Sequence, residues 1–245
     1  MAFNSIFFIF CFLPVFMLIY YLVPGKLRNL LLFLGSLVFY AWGEPVYVIL
    51  MLFSSVFNYY MGTELERLYY DDRKQKINLI FSIIVNLGIL VFFKYYGFLL
   101  NTIGGITGIH IPHPELSLPI GLSFYTFRNL SYLFDIYLSK VNAQRNFLTF
   151  AVYSTMFPYT SAGPIIRYAD IEEQLTHRSL NVSRFGLGAE LFVKGLAKKV
   201  LLADNLSALY AGICGHSQLP VFTAWIGILG YTMHLYFDFS GYSDM

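Results

Sequence analysis

Residues 77–100 read INLIFSIIVNLGILVFFKYYGFLL, an almost unbroken apolar run in which Lys94 is the only charged residue. A helix that crosses a lipid bilayer needs about 20 consecutive, mostly apolar residues. The stretch is therefore long enough and apolar enough to predict a membrane-spanning helix.

The composition of the whole chain agrees with this prediction. Of the 245 residues, 57% are hydrophobic and only 12% are charged, whereas about 25% are charged in a typical soluble domain. The net charge of +2 is too small to favour a nucleic-acid partner. Cys11 and Cys214 form neither a disulfide framework nor a metal site. The composition predicts an all-α, multi-pass integral membrane protein, with residues 1–245 forming one membrane domain surrounded by lipid.

Further apolar runs predict about six or seven spans in total. The run 187–213 is the weakest, because it is interrupted by charged residues. The predicted spans are 5–23, 28–41, 46–62, 77–100, 118–138, 187–213 and 219–240.

Basic residues in the connecting loops predict the orientation of the chain. Lys and Arg occur in loops 24–28, 63–76 and 139–145, whereas loops 42–45 and 101–117 contain none. Cytoplasmic loops of membrane proteins carry an excess of Lys and Arg. The alternation therefore places the three basic loops in the cytoplasm and the N-terminus outside.

The apolar segment 146–166 differs from the other runs. It is interrupted by Pro158, Gly163 and Pro164, and Arg167 follows directly. Because basic residues flank the segment on both sides, we expect it to be re-entrant and to reach a central cavity from the cytoplasmic side. The alternative is a full helix kinked at proline.

Polar side chains recur at helical spacing along one face of the span 118–138. An ionisable side chain at mid-span costs about 3 kcal/mol or more, so Arg128 needs a cavity or a partner. One interpretation is a cavity-lining stripe that contacts a polar or anionic substrate. The alternative is a buried structural pairing of Arg128 with a carboxylate or with free carbonyls. The stripe contains Gly121, Tyr125, Arg128, Tyr132 and Asp135.

The run 187–213 has two interpretations. Glu190, Lys194 and Lys198 follow one another at a spacing of four residues, which is typical of one charged helix face. The run is therefore either an amphipathic helix at the cytoplasmic surface or a weak span, and the sequence leaves both open.

Among the histidines, His234 lies within a predicted span. Asp238 is one turn later and close enough to orient its imidazole, and such a pair is a candidate general base. The alternative is a structural histidine. The remaining histidines, His110, His113, His177 and His216, lie outside the apolar runs.

Five motifs occur in order along the chain and together resemble the membrane-bound O-acyltransferase (MBOAT) superfamily, in its bacterial alginate O-acetyltransferase-like branch. The resemblance extends over the whole chain. The motifs are FYAWGEP at 39–45, PIGLSFYTF at 119–127, AGPIIR at 162–167, KKVLLADN at 198–205 and YFDFSGYSDM at 236–245.

The resemblance implies an enzyme of the bacterial cytoplasmic membrane. It implies transfer of an acyl group, acetyl in this branch, from a cytoplasmic donor such as acetyl-CoA to hydroxyls of an exported polysaccharide or cell-wall glycan. It also implies a partner acetyltransferase outside the cytoplasmic membrane, and neither a bound cofactor nor a metal. A transporter or flippase, and a non-catalytic membrane scaffold, are the competing interpretations of the membrane features.

The resemblance assigns no catalytic residue within this chain. The characteristic histidine of the family lies downstream of the last motif, beyond Met245, so the chain is expected to be an N-terminal half that is inactive alone. The residues expected to line the cavity are Arg128, Tyr132, Asp135, Arg167, Asp238, Ser240, Tyr242 and Asp244.

Overall fold

A computed structural model describes residues 3–108, 117–160, 163–178, 181–215 and 220–245, and every regular element in these ranges is helical. The predicted all-α class is confirmed. The α-helices are α1 (Leu13–Leu22), α2 (Arg28–Gly43), α3 (Val48–Arg67), α4 (Asp72–Thr107), α5 (Leu122–Tyr137), α6 (Phe147–Thr155), α7 (Tyr168–Thr176), α8 (Val182–Ala197), α9 (Asp204–Cys214) and α10 (Val221–Asp244). Short π-helical segments lie at Phe8–Phe12 and Lys198–Ala203, and 3₁₀ turns at Gly25–Leu27 and Phe157–Tyr159.

The chain divides into two compact units. Unit 1 contains α2 to α7, and unit 2 contains α8 to α10. The single membrane domain predicted over 1–245 stays a prediction. Unit 1 comprises residues 1, 16–161 and 165–178, and unit 2 comprises residues 2–15, 162–164 and 179–245.

Helix α4 contains the whole of the predicted span 77–100. It has 36 residues and is, within the described ranges, the one helix long and apolar enough to cross a bilayer. The helix begins after Asp71, whose side chain accepts a hydrogen bond from Lys74 N at 3.1 Å. It ends at Gly108, which takes a left-handed φ of +69°.

The other predicted spans form shorter or more polar helices. The runs 28–41 and 118–138 form α2 and α5, each of 16 residues, against the roughly 20 that a straight crossing needs. The run 187–213 divides into α8, a π-helical segment and α9. The predicted number of six or seven spans is therefore not confirmed.

Unit 1 buries several polar side chains within its apolar core and leaves many large apolar side chains exposed. On α4, Ser82 and Asn86 are buried, whereas Ile84 is 62% exposed and Phe92 49% exposed. On α3, Asn58 is fully buried. In hydrocarbon, apolar surface carries no penalty and polar groups must satisfy one another. The distribution is the one expected of helices surrounded by lipid.

The residues just before α6 and those at the start of α7 meet at one end of unit 1. Helix α6 has nine residues, a length of about 14 Å, and Pro158 lies in the 3₁₀ turn that follows. Gln144, just before α6, donates from Nε2 to the Tyr168 hydroxyl at the start of α7, at 2.7 Å. Residues 161 and 162 of the segment lie outside the described residues, so the choice between a re-entrant segment and a full helix kinked at proline stays a prediction.

The three basic loops meet at this same end of unit 1, which we call the basic end. Arg145 of the third loop pairs with Glu66 of the second loop at 2.6 Å. Asn29, directly after the first loop, donates to Thr149 Oγ1 on α6 at 3.3 Å. The sequence predicted that these loops share one side, and they do so within unit 1. They are the loops 24–28, 63–76 and 139–145.

Candidate functional site: the motif residues of each unit

Arg128 binds backbone carbonyls inside unit 1. The residue is buried, with 2% of its surface exposed. Its Nη1 donates to Tyr153 O at 2.9 Å and to Ser154 O at 3.4 Å, and its Nη2 donates to Tyr159 O. The structure therefore contains the pairing with free carbonyls, and a contact of Arg128 with substrate stays a prediction.

The early end of α6 explains why these carbonyls are available. The last four carbonyls of an α-helix lack helical N–H partners, and Pro158 beyond the helix has no N–H to offer. The C-terminal end of a helix also carries partial negative charge. A guanidinium, with five N–H donors and a permanent positive charge, satisfies several of these carbonyls at once. Arg128 thus caps the C-terminus of α6.

Gly121 packs against the turn that Arg128 holds. A Cβ atom at Gly121 would lie 2.1 Å from Thr160 O, and its φ is +76°. Thr160 in turn donates from Oγ1 to the carbonyls of Thr155 and Met156, at 3.0 and 2.9 Å. Only glycine combines this backbone conformation with so close an approach. The motif at 119–127 and the turn after α6 are therefore one packed structure.

The remaining residues of unit 1 that were expected to line a cavity divide between core and surface. Tyr132 is buried, and its hydroxyl accepts a hydrogen bond from Gln144 N at 2.9 Å. Asp135 is also buried, with Oδ1 3.9 Å from Lys140 Nζ. Arg167 is exposed. Tyr132 and Asp135 thus share the buried face of α5 with Arg128, and Arg167 does not join them. That any of the three lines a cavity stays a prediction.

In unit 2, the motifs at 198–205 and 236–245 are joined by ion pairs. Lys198 Nζ lies 2.5 Å from Asp244 Oδ2 and donates to Ser240 Oγ at 3.1 Å. Lys199 Nζ pairs with Asp204 Oδ1 at 3.0 Å and also with Asp238 Oδ1. We call these six side chains the lysine–carboxylate cluster; they are Lys198, Lys199, Asp204, Asp238, Ser240 and Asp244.

The structure corrects the predicted pairing of His234 with Asp238. His234 Nδ1 lies 2.9 Å from Ala203 O, and Asp238 is bound to Lys199. A charge-assisted bond between an ammonium and a carboxylate is roughly twice as strong as a bond between neutral groups. Lys199 therefore takes the carboxylate that the imidazole was expected to hold, and the geometry does not support His234 as a base oriented by Asp238.

A π-helical segment explains why two adjacent lysines both reach α10. Lys198 and Lys199 open the segment Lys198–Ala203. The i→i+5 bonding of a π-helix puts more residues in each turn, so successive side chains diverge less than in an α-helix. Lys194, one turn earlier, pairs instead with Glu190 at 2.6 Å on an exposed surface. Lys198 is thereby separated from the charged face that the four-residue spacing predicted.

Two glycines bring the backbones of α8 and α10 together. A Cβ at Gly195 would lie 2.5 Å from Gly241 O, and a Cβ at Gly241 would lie 2.8 Å from Gly195 O. This crossing places the end of α8 beside the last motif. Tyr242, also in that motif, packs its ring edge-on against Phe3 with centroids 5.2 Å apart.

The lysine–carboxylate cluster can act as an electrostatic clamp. Two ammonium groups hold three carboxylates, and this fixes the position of residues 236–245 on α10. The two lysines belong to a predicted motif but could not be selected as site residues, because their partners Asp238 and Asp244 lie about 40 residues away on another helix. Of the other residues considered, His177 is exposed at the end of α7. His110, His113, His216 and Ala162 lie outside the described residues.

Comparison with known proteins identifies relatives that are similar to the whole of this chain. No family model matches the chain. The chain is 41% identical over 250 residues to a probable alginate O-acetylase of Pseudomonas aeruginosa, 38% identical over 249 residues to one of Azotobacter vinelandii, and 33% identical over 279 residues to a peptidoglycan O-acetyltransferase of Helicobacter pylori. Each match includes all of this chain and 48%, 50% and 53% of the relative, respectively.

The chain therefore spans about half the length of the curated relatives it matches. The resemblance drawn from the five motifs is confirmed by identity that extends from one end of the chain to the other. Over its whole length the chain is similar to probable alginate O-acetylases and to a peptidoglycan O-acetyltransferase, in agreement with the resemblance that its motifs predicted.

Proposed function

We propose that this chain is the N-terminal half of a membrane-bound O-acyltransferase. The full-length protein transfers an acyl group from acetyl-CoA to hydroxyls of an exported polysaccharide or a cell-wall glycan. The observation that carries the proposal is identity of 33–41% over the whole chain to proteins named for the O-acetylation of alginate or peptidoglycan.

The proposal includes a place in the bacterial inner membrane, with several crossings and the N-terminus outside. The exposed apolar face of α4 and the buried polar residues of unit 1 support immersion in lipid. The gathering of three basic loops at one end supports a cytoplasmic position for that end. We infer that residues 146–166 enter the membrane from that end and admit a cytoplasmic donor, and the contact between Gln144 and Tyr168 supports this path.

Acyl transfer needs both catalytic groups and a framework that positions them, and we assign these two roles to different halves of the protein. The acceptor hydroxyl needs a general base, and the tetrahedral oxyanion needs hydrogen-bond donors. We assign the base to the family's histidine, outside residues 1–245. The residues described above supply the framework: Arg128 fixes the α6 segment, and the lysine–carboxylate cluster fixes the last motif. A partner acetyltransferase outside the membrane completes delivery to the glycan.

Transfer of label from the donor tests this function. Membrane vesicles containing the full-length protein are given acetyl-CoA that is radiolabelled in the acetyl group. The glycan is then isolated and its radioactivity is measured. We expect label in ester linkage to glycan, released by mild base, and none from vesicles without the protein. Two results together would instead establish a transporter: the glycan stays unlabelled in vesicles that contain folded protein, and the substrate stimulates its own transport into liposomes.

A further inference from the structure

Two arginines of unit 1 converge on one tyrosine at the basic end. The guanidinium carbon of Arg28 lies 5.5 Å from the centroid of the Tyr20 ring. Arg178 Nη1 donates to the Tyr20 hydroxyl at 3.4 Å. Arg178 is held in this position by a second bond, from Nε to Gln174 O at 2.7 Å. Two positive groups are thus fixed around a single phenol.

Neither arginine is neutralised by a carboxylate in the part of the chain that the structure describes. The ion pairs within those ranges involve other Lys and Arg residues. Arg28 Nε is buried and makes no hydrogen bond there. A buried guanidinium N–H without a partner is costly. A bound anion would supply the missing partner and would neutralise the positive charge gathered around Tyr20.

The surroundings indicate which anion would reach this place. Tyr20 lies near the end of α1, where Leu18 is 62% exposed and Leu22 is 76% exposed. An apolar helix that ends in aromatic and basic residues is typical of the boundary between hydrocarbon and headgroups. Arg28 is also the first residue of α2, a helix whose N-terminus has no side-chain cap. Partial positive charge there adds to that of the two arginines.

We propose that Arg28, Arg178 and Tyr20 form a binding site for a phosphate group at the basic end of unit 1. The two guanidinium groups donate to phosphate oxygens, and the Tyr20 hydroxyl, which accepts from Arg178, donates its own proton to a third oxygen. The adjacent apolar surface of α1 suits the acyl chains of an anionic phospholipid. The site is separate from the proposed acyl transfer and does not depend on it.

Lipid retention tests the site. The full-length protein is purified in detergent, incubated with phosphatidylglycerol or phosphatidylcholine, and examined by native mass spectrometry. We expect the wild type to retain phosphatidylglycerol preferentially. We expect Arg28→Gln and Arg178→Gln each to weaken phosphatidylglycerol binding by about five-fold or more. Arg28→Lys keeps the charge but loses the planar fork, so we expect an intermediate loss and a folded protein.

Arg73→Gln is the matched control, because Arg73 is an exposed arginine near the start of α4 and removing it changes the net charge equally. Equal losses of phosphatidylglycerol binding from Arg73→Gln and Arg28→Gln would show diffuse electrostatic attraction and would contradict the proposed site.

A second experiment replaces the lipid with inorganic phosphate. If phosphate raises the unfolding temperature of the wild type but not of Arg28→Gln, while phosphatidylglycerol binds no better than phosphatidylcholine, the site holds phosphate from a soluble ligand. If neither ligand distinguishes wild type from variants, the proposal is wrong.

Discussion

Asn58 on α3 and Asn86 on α4 exchange two side-chain hydrogen bonds, in which each Nδ2 donates to the Oδ1 of the other residue, at 3.0 and 2.9 Å. Each Nδ2 also donates to the carbonyl one turn earlier, Ser54 O or Ser82 O, at 2.8 Å in both cases. Both asparagines are buried. Since a buried amide has no water to bond, this pair fixes the register of α3 against α4.

Replacing one member of the pair is expected to destabilise unit 1. Asn86→Leu leaves the Asn58 amide buried with fewer partners, at a cost of about 1–2 kcal/mol. The free energy of unfolding of the full-length protein in detergent measures the loss. Asn101→Leu, at an exposed position of the same helix, is the control and should leave stability unchanged. Equal losses from the two variants would show that the amide pair contributes nothing specific.

Gly121 and Gly108 separate backbone strain from close packing. Both take positive φ, but a Cβ at Gly108 meets nothing within 4 Å, whereas one at Gly121 would lie 2.1 Å from Thr160 O. We expect Gly108→Ala to cost about 1–2 kcal/mol, the strain alone. Gly121→Ala should cost clearly more, because the turn after α6 must also move. Thermal unfolding of both variants in detergent checks the order, and equal midpoints would contradict the packing argument.

Titration of Asp71 should affect the start of α4. A hydrogen bond from the Lys74 side chain holds the pKa of Asp71 below its usual value. A carboxyl with a lowered folded-state pKa stabilises the folded state above its unfolded pKa of about 3.9, and this contribution is lost as the pH falls through the folded pKa. We therefore expect the first backbone amides of α4 to exchange with deuterium faster at acidic pH than the intrinsic exchange rate of an unstructured amide at that pH predicts. Asp71→Asn keeps a capping oxygen without the charge, so its exchange should lose this pH dependence.

The helices were predictable from the sequence because each is encoded locally. The apolar run 77–100 contains enough information to specify a helix, and the actual ends of α4 follow from a capping Asp71 and from Gly108. The number of membrane crossings was harder to predict from the sequence. Helices such as α5, which bury polar side chains against neighbours, resemble spans in composition but are short, and only tertiary packing determines where they end.

The partners of the site residues were not predictable, because they come from distant segments. Arg128 in the sequence shows only that a buried cation needs a partner. That the partners are the carbonyls of Tyr153 and Tyr159 depends on the early end of α6. The spacing of His234 and Asp238 favoured a local pair, but a lysine from another helix competes successfully for the carboxylate. Local spacing cannot represent such competition.

The ion pair between Lys199 and Asp238 should show measurable coupling. Lys199 bridges Asp238 and Asp204, and its side chain is only 20% exposed. In a double-mutant cycle of Lys199→Met and Asp238→Asn, we expect a coupling energy of about 1 kcal/mol in the unfolding of the full-length protein. The exposed pair of Lys194 and Glu190 is the control, with coupling near the lower end of the range for surface pairs. Coupling that is no larger for the Lys199 pair would show that the lysine–carboxylate cluster is not a clamp.

Replacement of Arg128 distinguishes a structural arginine from a substrate contact. The cavity-lining interpretation predicts that Arg128→Ala lowers glycan acetylation while folded protein remains in the membrane. The structure predicts loss of the folded protein itself, because the carbonyls at the end of α6 would be buried without donors, at a cost of about 3 kcal/mol or more. Arg128→Lys retains one charged donor and should recover part of the loss.

Arg167→Ala, at an exposed position, is the control and should leave the amount of folded protein unchanged. Size-exclusion chromatography and thermal unfolding of equal membrane extracts measure the outcome. Wild-type amounts of folded but inactive Arg128→Ala protein would restore the substrate-contact interpretation.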